Sequence, residues 1–430
     1  MAHSFTAFVI FSVLSLATPL WAQPQTLQLT LAEAERLAAK NNPQISAARL
    51  NALAAAQVPT EVRAGLYPTL GGAITGVGAD AGSRLAAGAL NNPVLYNRIG
   101  AGLSVNQLVT DFGRTGHLVA SAKLRAQAQD QVAETTRANI LITTARAFFG
   151  LLRARSVLTV AQETVSARQL VSNQVTALAN SNLKSQLDVS FANVNLADAQ
   201  LLLSQAQNAV QAAEAELAAA LGLPGQVTFT LQPEPMPDLL PPSVEALVTQ
   251  ALQNRPELKF LRLEQNAAER FAKAEHSLLF PSIGVSGAAG FAPAGDAAVP
   301  GRYGAIGVNL SIPLFNGGLF RARQTEAELK ARAANENVND LANRLTRDVR
   351  IAFLNAQTGY ERVSLTDQFL KQAQLGLDLA KGRYDLGLSS IVELSQAQLN
   401  LTTAQIGNAS ARYDYQTQRA ILDYQVGALR

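Results

Sequence analysis

Apolar and polar residues alternate with a period of two in three stretches of the chain. Ile99, Ala101, Leu103, Val105 and Val109 fall on one face, against Arg98, Gly100, Gly102, Ser104 and Asn106 on the other. Ile283, Val285, Ala289 and Phe291 oppose Ser282, Gly284, Ser286 and Gly290, and Ile306, Val308, Leu310 and Ile312 oppose Ala305, Gly307, Asn309 and Ser311. A fourth stretch, 69–77, is Gly-rich and less regular. This period predicts four strands. One apolar face and one small polar face suit a barrel wall between lipid and water, with a soluble sheet as the alternative. Each run has roughly the 9–11 residues that cross a bilayer. Four strands cannot close a barrel, and open edges do not survive in lipid. The chain must therefore associate. Two copies would give a filled eight-strand barrel, and three a twelve-strand barrel with a lumen.

A second period, alternating steps of three and four, runs through Val189, Ala192, Leu196, Ala199, Leu203, Ala206, Val210, Ala213, Leu217 and Ala220. That is a coiled-coil seam in which large and small residues take turns. A more polar seam runs through Leu394, Ala397, Leu401, Ala404, Asn408, Ala411, Tyr415, Gln418 and Leu422. Residues 114–178, 183–222, 318–384 and 389–430 contain no proline. Four long helices in two hairpins are expected. Four helices and four strands per chain match in number, and this favours three copies, each strand running into one helix.

The chain is written twice. Asn41-Asn42-Pro43 and Leu66-Tyr67-Pro68 recur as Asn254-Arg255-Pro256 and Leu279-Phe280-Pro281, 213 residues on. Leu183, Ser185, Asp188, Ser190 and Asn195 recur as Leu388, Ser390, Glu393, Ser395 and Asn400, 205 residues on. The shorter offset places most of the excess of the first copy in a loop at 79–97. Each copy reads as short helix, strand, loop, strand, very long helix, turn, long helix. Residues 23–222 form the first structural repeat and 243–430 the second. The Pro-rich stretch 223–242 reads as an extended connector in the equatorial region, outside the core. Thr30 and Glu33 make a capping box for the first short helix, and Ser243 is the expected N-cap in the second copy.

Composition narrows the class further. Aromatics are 6% of the 430 residues and the formal net charge is +3. No basic block points to nucleic acid. There is no cysteine, hence no disulfide, thiolate metal site or lipidated N-terminal Cys. Residues 1–22 read as a signal peptide with an apolar stretch from Phe8 to Leu16 and cleavage after Ala22. An N-terminal anchor is the alternative, because the segment carries no Lys or Arg before its apolar stretch. Beyond it no apolar run reaches about 18 residues, so a membrane crossing must use strands. His3, His117 and His276 are scattered, and no GxxxxGK[ST], HExxH or GxSxG occurs. An enzyme is not expected, nor a cofactor or resident metal. The rival from another class is a periplasmic coiled-coil adaptor or structural protein, which leaves the duplicated strands unexplained.

Four segments carry a family likeness: Leu29-Thr30-Leu31-Ala32-Glu33-Ala34 with Asn41-Asn42-Pro43; Pro313-Leu314-Phe315-Asn316-Gly317-Gly318; Tyr384-Asp385-Leu386-Gly387-Leu388-Ser389-Ser390-Ile391-Val392-Glu393-Leu394; and Asn408-Ala409-Ser410-Ala411-Arg412-Tyr413-Asp414-Tyr415. With them the mature chain resembles the TolC-type outer-membrane efflux family. The resemblance implies a mainly α fold with a β-barrel part. It would be a homotrimeric outer-membrane β-barrel, four strands per chain, continuing into a long α-helical barrel across the periplasm. It implies an exit duct of a tripartite efflux or type I secretion system, with outer-membrane lipid around it. Its partners would be a periplasmic membrane-fusion adaptor and an inner-membrane pump of the RND or ABC type. Small-molecule efflux is the expected cargo class, since no Met- or His-rich tract points to metals.

The resemblance also implies a periplasmic gate, closed by inward coiling of helices and narrowed by an acidic, cation-sensitive ring. Glu393 matches the acidic gate position, Asp188 is its counterpart in the first copy, and Gln396 stands where the family has a second acid. Ser389 stands where it has a tip arginine, and Tyr384, beside Asp385, matches a tyrosine of the closing network. A ring of Glu393 alone would still hold three carboxylates together and attract cations. The plainer alternative is a helix-start carboxylate favoured by the dipole. The turns at Asn182-Leu183-Lys184-Ser185 and Leu386-Gly387-Leu388-Ser389-Ser390 are expected as adaptor-contact tips, or else as plain hairpin turns.

Overall fold

The computed structural model describes residues 26–78, 98–225, 227–237, 240–241, 243–292 and 301–429. The expected signal segment 1–22 and the loop 79–97 lie outside the described residues. The first copy contains β1 (Thr26–Leu29), α1 (Leu31–Asn41), α2 (Pro43–Ala55), α3 (Val58–Ala64), β2 (Thr69–Val77), β3 (Arg98–Thr110), α4 (Arg114–Asn180) and α5 (Gln186–Ala220). The second contains β4 (Thr228–Leu231), α6 (Glu245–Asn254), α7 (Pro256–His276), β5 (Ser282–Phe291), β6 (Arg302–Ser311), α8 (Leu319–Asp385) and α9 (Ile391–Val426).

The single short helix expected at the start of each copy is broken at Asn42-Pro43 and Arg255-Pro256, and in the first copy again at Ala56-Gln57 before α3. A residue before proline is driven out of the helical region, and Asn42 and Arg255 take ψ values of 120° and 121°. Each kink then clasps the end of its own copy. Asn42 Nδ2 donates to the Ala220 carbonyl at 3.2 Å and Arg255 to the Tyr424 carbonyl at 2.8 Å. Gly222 and Gly427 lie against the kinks with φ of +68° and +77°. A Cβ at Gly222 would stand 2.9 Å from the Asn41 carbonyl oxygen.

The expectation that 223–242 stays outside the core fails at Thr228–Leu231. That segment is β4, paired in parallel with β1 from Thr26↔Thr228 to Leu29↔Leu231. Phe229 and Leu231 are buried against Leu29, Phe148, Leu151 and Leu217 in the largest apolar cluster. Four residues are too few for a period to register. Ser243 is likewise not the N-cap. Helix α6 starts at Glu245 with Val244 as cap, and Ser243 Oγ accepts from Glu245 N at 3.3 Å from one position farther out. The Thr30–Glu33 capping box forms as expected.

The four long strands make one antiparallel sheet in the order β2-β3-β5-β6, so the two copies meet at β3–β5. The register sets Leu70, Val105, Gly287 and Ile306 in one row, with Ile74, Ala101 and Phe291 in another on the same face. The opposite face carries Thr69, Asn106, Ser286 and Gly307. Among the described residues, β2 and β6 have no partner on their outer edges. Exposed aromatics, Tyr67, Phe112, Phe280 and Phe315, stand where each strand meets the helical part. Such a girdle marks where lipid headgroups begin.

Below the sheet the elements stay four across. Helix α3 leads into β2, β3 into α4, α7 into β5 and β6 into α8. Helix α7 packs between α4 and α8; farther down α9 takes that place and α5 flanks α4. Helices α4 and α8 are 67 residues each, about 100 Å long at 1.5 Å per residue. Both seams face inward: Ala192, Ala199, Ala206 and Leu217 are buried on α5, and Leu394, Ala404, Asn408, Ala411, Tyr415 and Leu422 on α9. No described helix is long and apolar enough to cross a membrane.

Candidate functional site

The two hairpins turn by the same device at the end farthest from the sheet. Leu183 N donates to the Leu178 carbonyl at 2.9 Å and Leu388 N to the Arg383 carbonyl at 2.8 Å. Both are Schellman closures, which require a left-handed residue at the turn. Gly387 supplies it with φ +72° and Asn182 with φ +60°. Ser185 and Ser390 then cap α5 and α9. Leu183 and Leu388 are left 70% and 67% exposed, the most prominent apolar groups of the two turns beside Leu386.

The expected gate residues are brought to this end but are not equivalent. Asp188 closes a reciprocal capping box: its Oδ2 accepts from Ser185 N at 3.0 Å and from Ser185 Oγ at 2.8 Å. The backbone bond, then the hydroxyl bond, hold its carboxyl below the usual range. Glu393 does not fold back. Its Oε1 pairs with Arg383 Nε at 3.1 Å across the α8–α9 hairpin, both groups half exposed. Arg383 was not singled out from the sequence; its position five residues before Leu388, where its guanidinium can return to the first turn of α9, was the available signal. Gln396 donates to Asn400 at 2.9 Å along its own helix. Ser389 is half-buried, its hydroxyl without a protein partner, and Asp385 is exposed at the last residue of α8.

Tyr384 sits at the centre. With Val175, Ala192, Ile391 and Leu394 it forms an apolar cluster drawn from all four helices. Lys184, from the other turn, places its Nζ 4.0 Å from the Tyr384 ring. Burial first, then Asp188 and Asp385, push the Tyr384 phenol up. Beside the cluster, Phe369, Leu379, Arg383, Glu393 and Gln396 line an open groove of about 720 Å3 between α8 and α9.

Both outer helices expose apolar residues near this end. Phe191, Val194 and Leu201 on α5, and Phe369 and Leu379 on α8, are exposed. Phe191 lies eight residues past Leu183 and Leu379 nine before Leu388, so they stand at one height; Leu201 and Phe369 match likewise.

A four-strand sheet with open edges, an apolar outer face and an aromatic girdle, prolonged by helical hairpins of about 100 Å, defines an outer-membrane channel protein. The family model described as "Outer membrane efflux protein" matches residues 35–223 and 247–428, one span in each copy, and the chain belongs to that family. It is 28% identical to outer membrane protein TolC of Salmonella enteritidis over 426 residues, covering 93% of this chain and 83% of TolC. It is 23% identical to the alkaline protease secretion protein AprF of Pseudomonas aeruginosa, covering 93% and 85%. Among solved structures, CusC superposes with a TM-score of 0.81 at 19% identity, covering 92% of each chain. The open state of MtrE from Neisseria gonorrhoeae gives 0.77 at 20%, covering 93% and 89%. The chain is an outer-membrane exit duct that extends into the periplasm.

Proposed function

We propose that three copies of this chain form one duct, passing small molecules from an inner-membrane pump through a periplasmic adaptor to the outside. The observation that carries this is the pair of unsatisfied edges. Elements β2, α3 and α5 lie on one flank of every level of the molecule, and β6 and α8 on the other. Unlike edges joined head to tail close into a ring. Three copies give twelve strands and room for a lumen. Exposed apolar residues at matching heights on α5 and along the α8 side of the groove suit the same joint. The role needs no catalysis, since the pump supplies the energy.

At the periplasmic end we assign Glu393 to the constriction, with Arg383 as its partner within the chain. Asp188 is committed to its helix cap, and Gln396 carries no charge. A ring of Glu393 carboxylates would attract cations, and Arg383 would moderate it. Tyr384 braces the same end from within, and the exposed Asp385 adds a negative charge beside it. The exposed leucines of the two turns, with Lys184 and Ser389, suit an adaptor that covers apolar tips. Native mass spectrometry of the detergent-solubilised protein tests the assembly: three chains per particle are expected, and a stable monomer free of detergent would remove the reading. A crosslinker placed by Ser389→Cys should capture a periplasmic adaptor, and capture of none by an assembled duct would remove the tip assignment.

A further inference from the structure

Over four successive rows the water-side face of the sheet carries small residues with one exception, and Leu108 stands one row nearer the helices. Row by row it reads Thr75 and Gly100; Ala73, Gly102, Gly290 and Tyr303; Gly71, Ser104, Ala288 and Ala305; and Thr69, Asn106, Ser286 and Gly307. Tyr303 is the single large side chain among these. Its phenol reaches across two neighbouring strands, over Gly290 of β5 and on to Gly102 of β3. A Cβ at Gly290 would stand 2.5 Å from the Tyr303 hydroxyl and 2.6 Å from Cζ, and one at Gly102 would overlap the same hydroxyl. Both glycines are therefore the bed of the ring. The bed is not a seal, because Tyr303 remains 48% exposed. Beside it lies a pocket of about 310 Å3, lined by Tyr303 with Ala73, Thr75, Gly100, Gly102 and Ser104.

We propose that Tyr303 and this pocket form a binding site on the duct wall for flat aromatic molecules that carry a hydrogen-bonding polar edge. This rests on the reading of that face as the lumen. The phenol supplies an apolar, polarisable wall that favours offset or edge-to-face contact with another ring. Ser104 and Thr75 supply hydroxyls that donate or accept at the rim. Small residues around them leave space for a ring and offer no competing side chain. Tyr303 is the second residue of β6, at the end of the sheet away from the helices. A ligand there meets the site last on its way out, and each copy contributes one. The site thus names a cargo class for the duct: aromatic compounds with a polar edge.

The absence of cysteine from the chain makes the test clean. In the assembled protein in lipid, Tyr303→Cys should react with a membrane-impermeant maleimide and Ile306→Cys, on the apolar face, should not. The reverse pattern would overturn the face assignment, and with it the duct reading. Binding is then titrated with acridine-9-carboxylate, a flat anion too polar to enter hydrocarbon, in wild type, Tyr303→Phe and Tyr303→Leu. Wild type and Tyr303→Phe should bind alike, and Tyr303→Leu about tenfold more weakly, or ~1.4 kcal/mol. Equal affinity for Tyr303→Leu, or no saturable binding to wild type, overturns the site while leaving the duct intact. Gly290→Val, which overlaps the ring, should lose binding in the same way if it assembles. Its normal binding would also count against the proposal.

Discussion

Asn408 is the polar residue of the α9 seam for which the loss of a partner has the clearest consequence. It is 6% exposed. Its Nδ2 donates to Asp367 Oδ1 at 2.6 Å and to Thr366 Oγ1 at 3.4 Å, both on α8. Arg412 donates to the same Asp367 oxygen at 3.1 Å. The Asn408 bond is the first cause, ahead of Arg412, that holds the Asp367 carboxyl below its usual range. Asp367→Ala would leave a buried amide with one long contact. An orphaned buried donor costs about 1–3 kcal/mol, and the exposed ion pair adds ~0–1 kcal/mol. Together these make about 1–4 kcal/mol, and local opening of the α8–α9 hairpin should then speed up about 5- to 700-fold. Hydrogen exchange of the amides in 363–371 and 404–412 reads this, with α4 and α5 as internal standard. Replacing both residues by leucine removes the donor with its acceptor and should recover most of the protection. It should also loosen the register that the polar pair specifies. The sign with pH follows from the lowered carboxyl. The contribution is complete above the unfolded value of about 3.9 and is lost as pH falls through the folded one. Unchanged exchange in Asp367→Ala, or a double variant no better protected than the single, would refute the reasoning.

Other expectations are narrower. Ser185→Ala removes the cap that holds Asp188 and should cost about 1 kcal/mol, seen as faster exchange in the first turn of α5 with α9 unaffected. Asn182→Val places a β-branched residue at φ +60° and should destabilise the turn by about 1–2 kcal/mol; Asn182→Gly should not, and exchange across the turn compares them. Burial pushes the Asp423 carboxyl up despite Arg419. Its effect therefore runs opposite to that of Asp367: stability declines as pH rises from the unfolded value of about 3.9 through the folded one. Asp423→Asn should raise the melting temperature at pH 7.5 and change it little at pH 4.

The sequence made the large elements legible because long elements repeat their signal. The heptad steps on α5 and α9 mark residues that are buried, and the period-two strands fall in the register their faces require. The β1–β4 pair stayed hidden because four residues carry no period, and its partners are 202 positions apart. The breaks at Pro43 and Pro256 were visible as prolines, but not as clasps on Gly222 and Gly427, because those contacts are long-range. At the tips, the turn chemistry of Gly387 and Ser390 was readable locally. The division of labour between Asp188 and Glu393 was not, since it depends on whether the carboxylate folds back onto its cap or reaches Arg383. The bed of Tyr303 needed the pairing of three strands before its two glycines could be seen together.

The central claim is that the two flanks of this chain are complementary and close on further copies of it. With no native cysteine, the pair Phe191→Cys and Leu379→Cys in one chain, at equal height on α5 and α8, tests it most directly. Oxidation in the membrane should join neighbouring chains into covalent species of up to three and none larger, and neither single variant should yield the three-chain species. A ladder beyond three, or no joining in a protein that has otherwise assembled, would contradict the account.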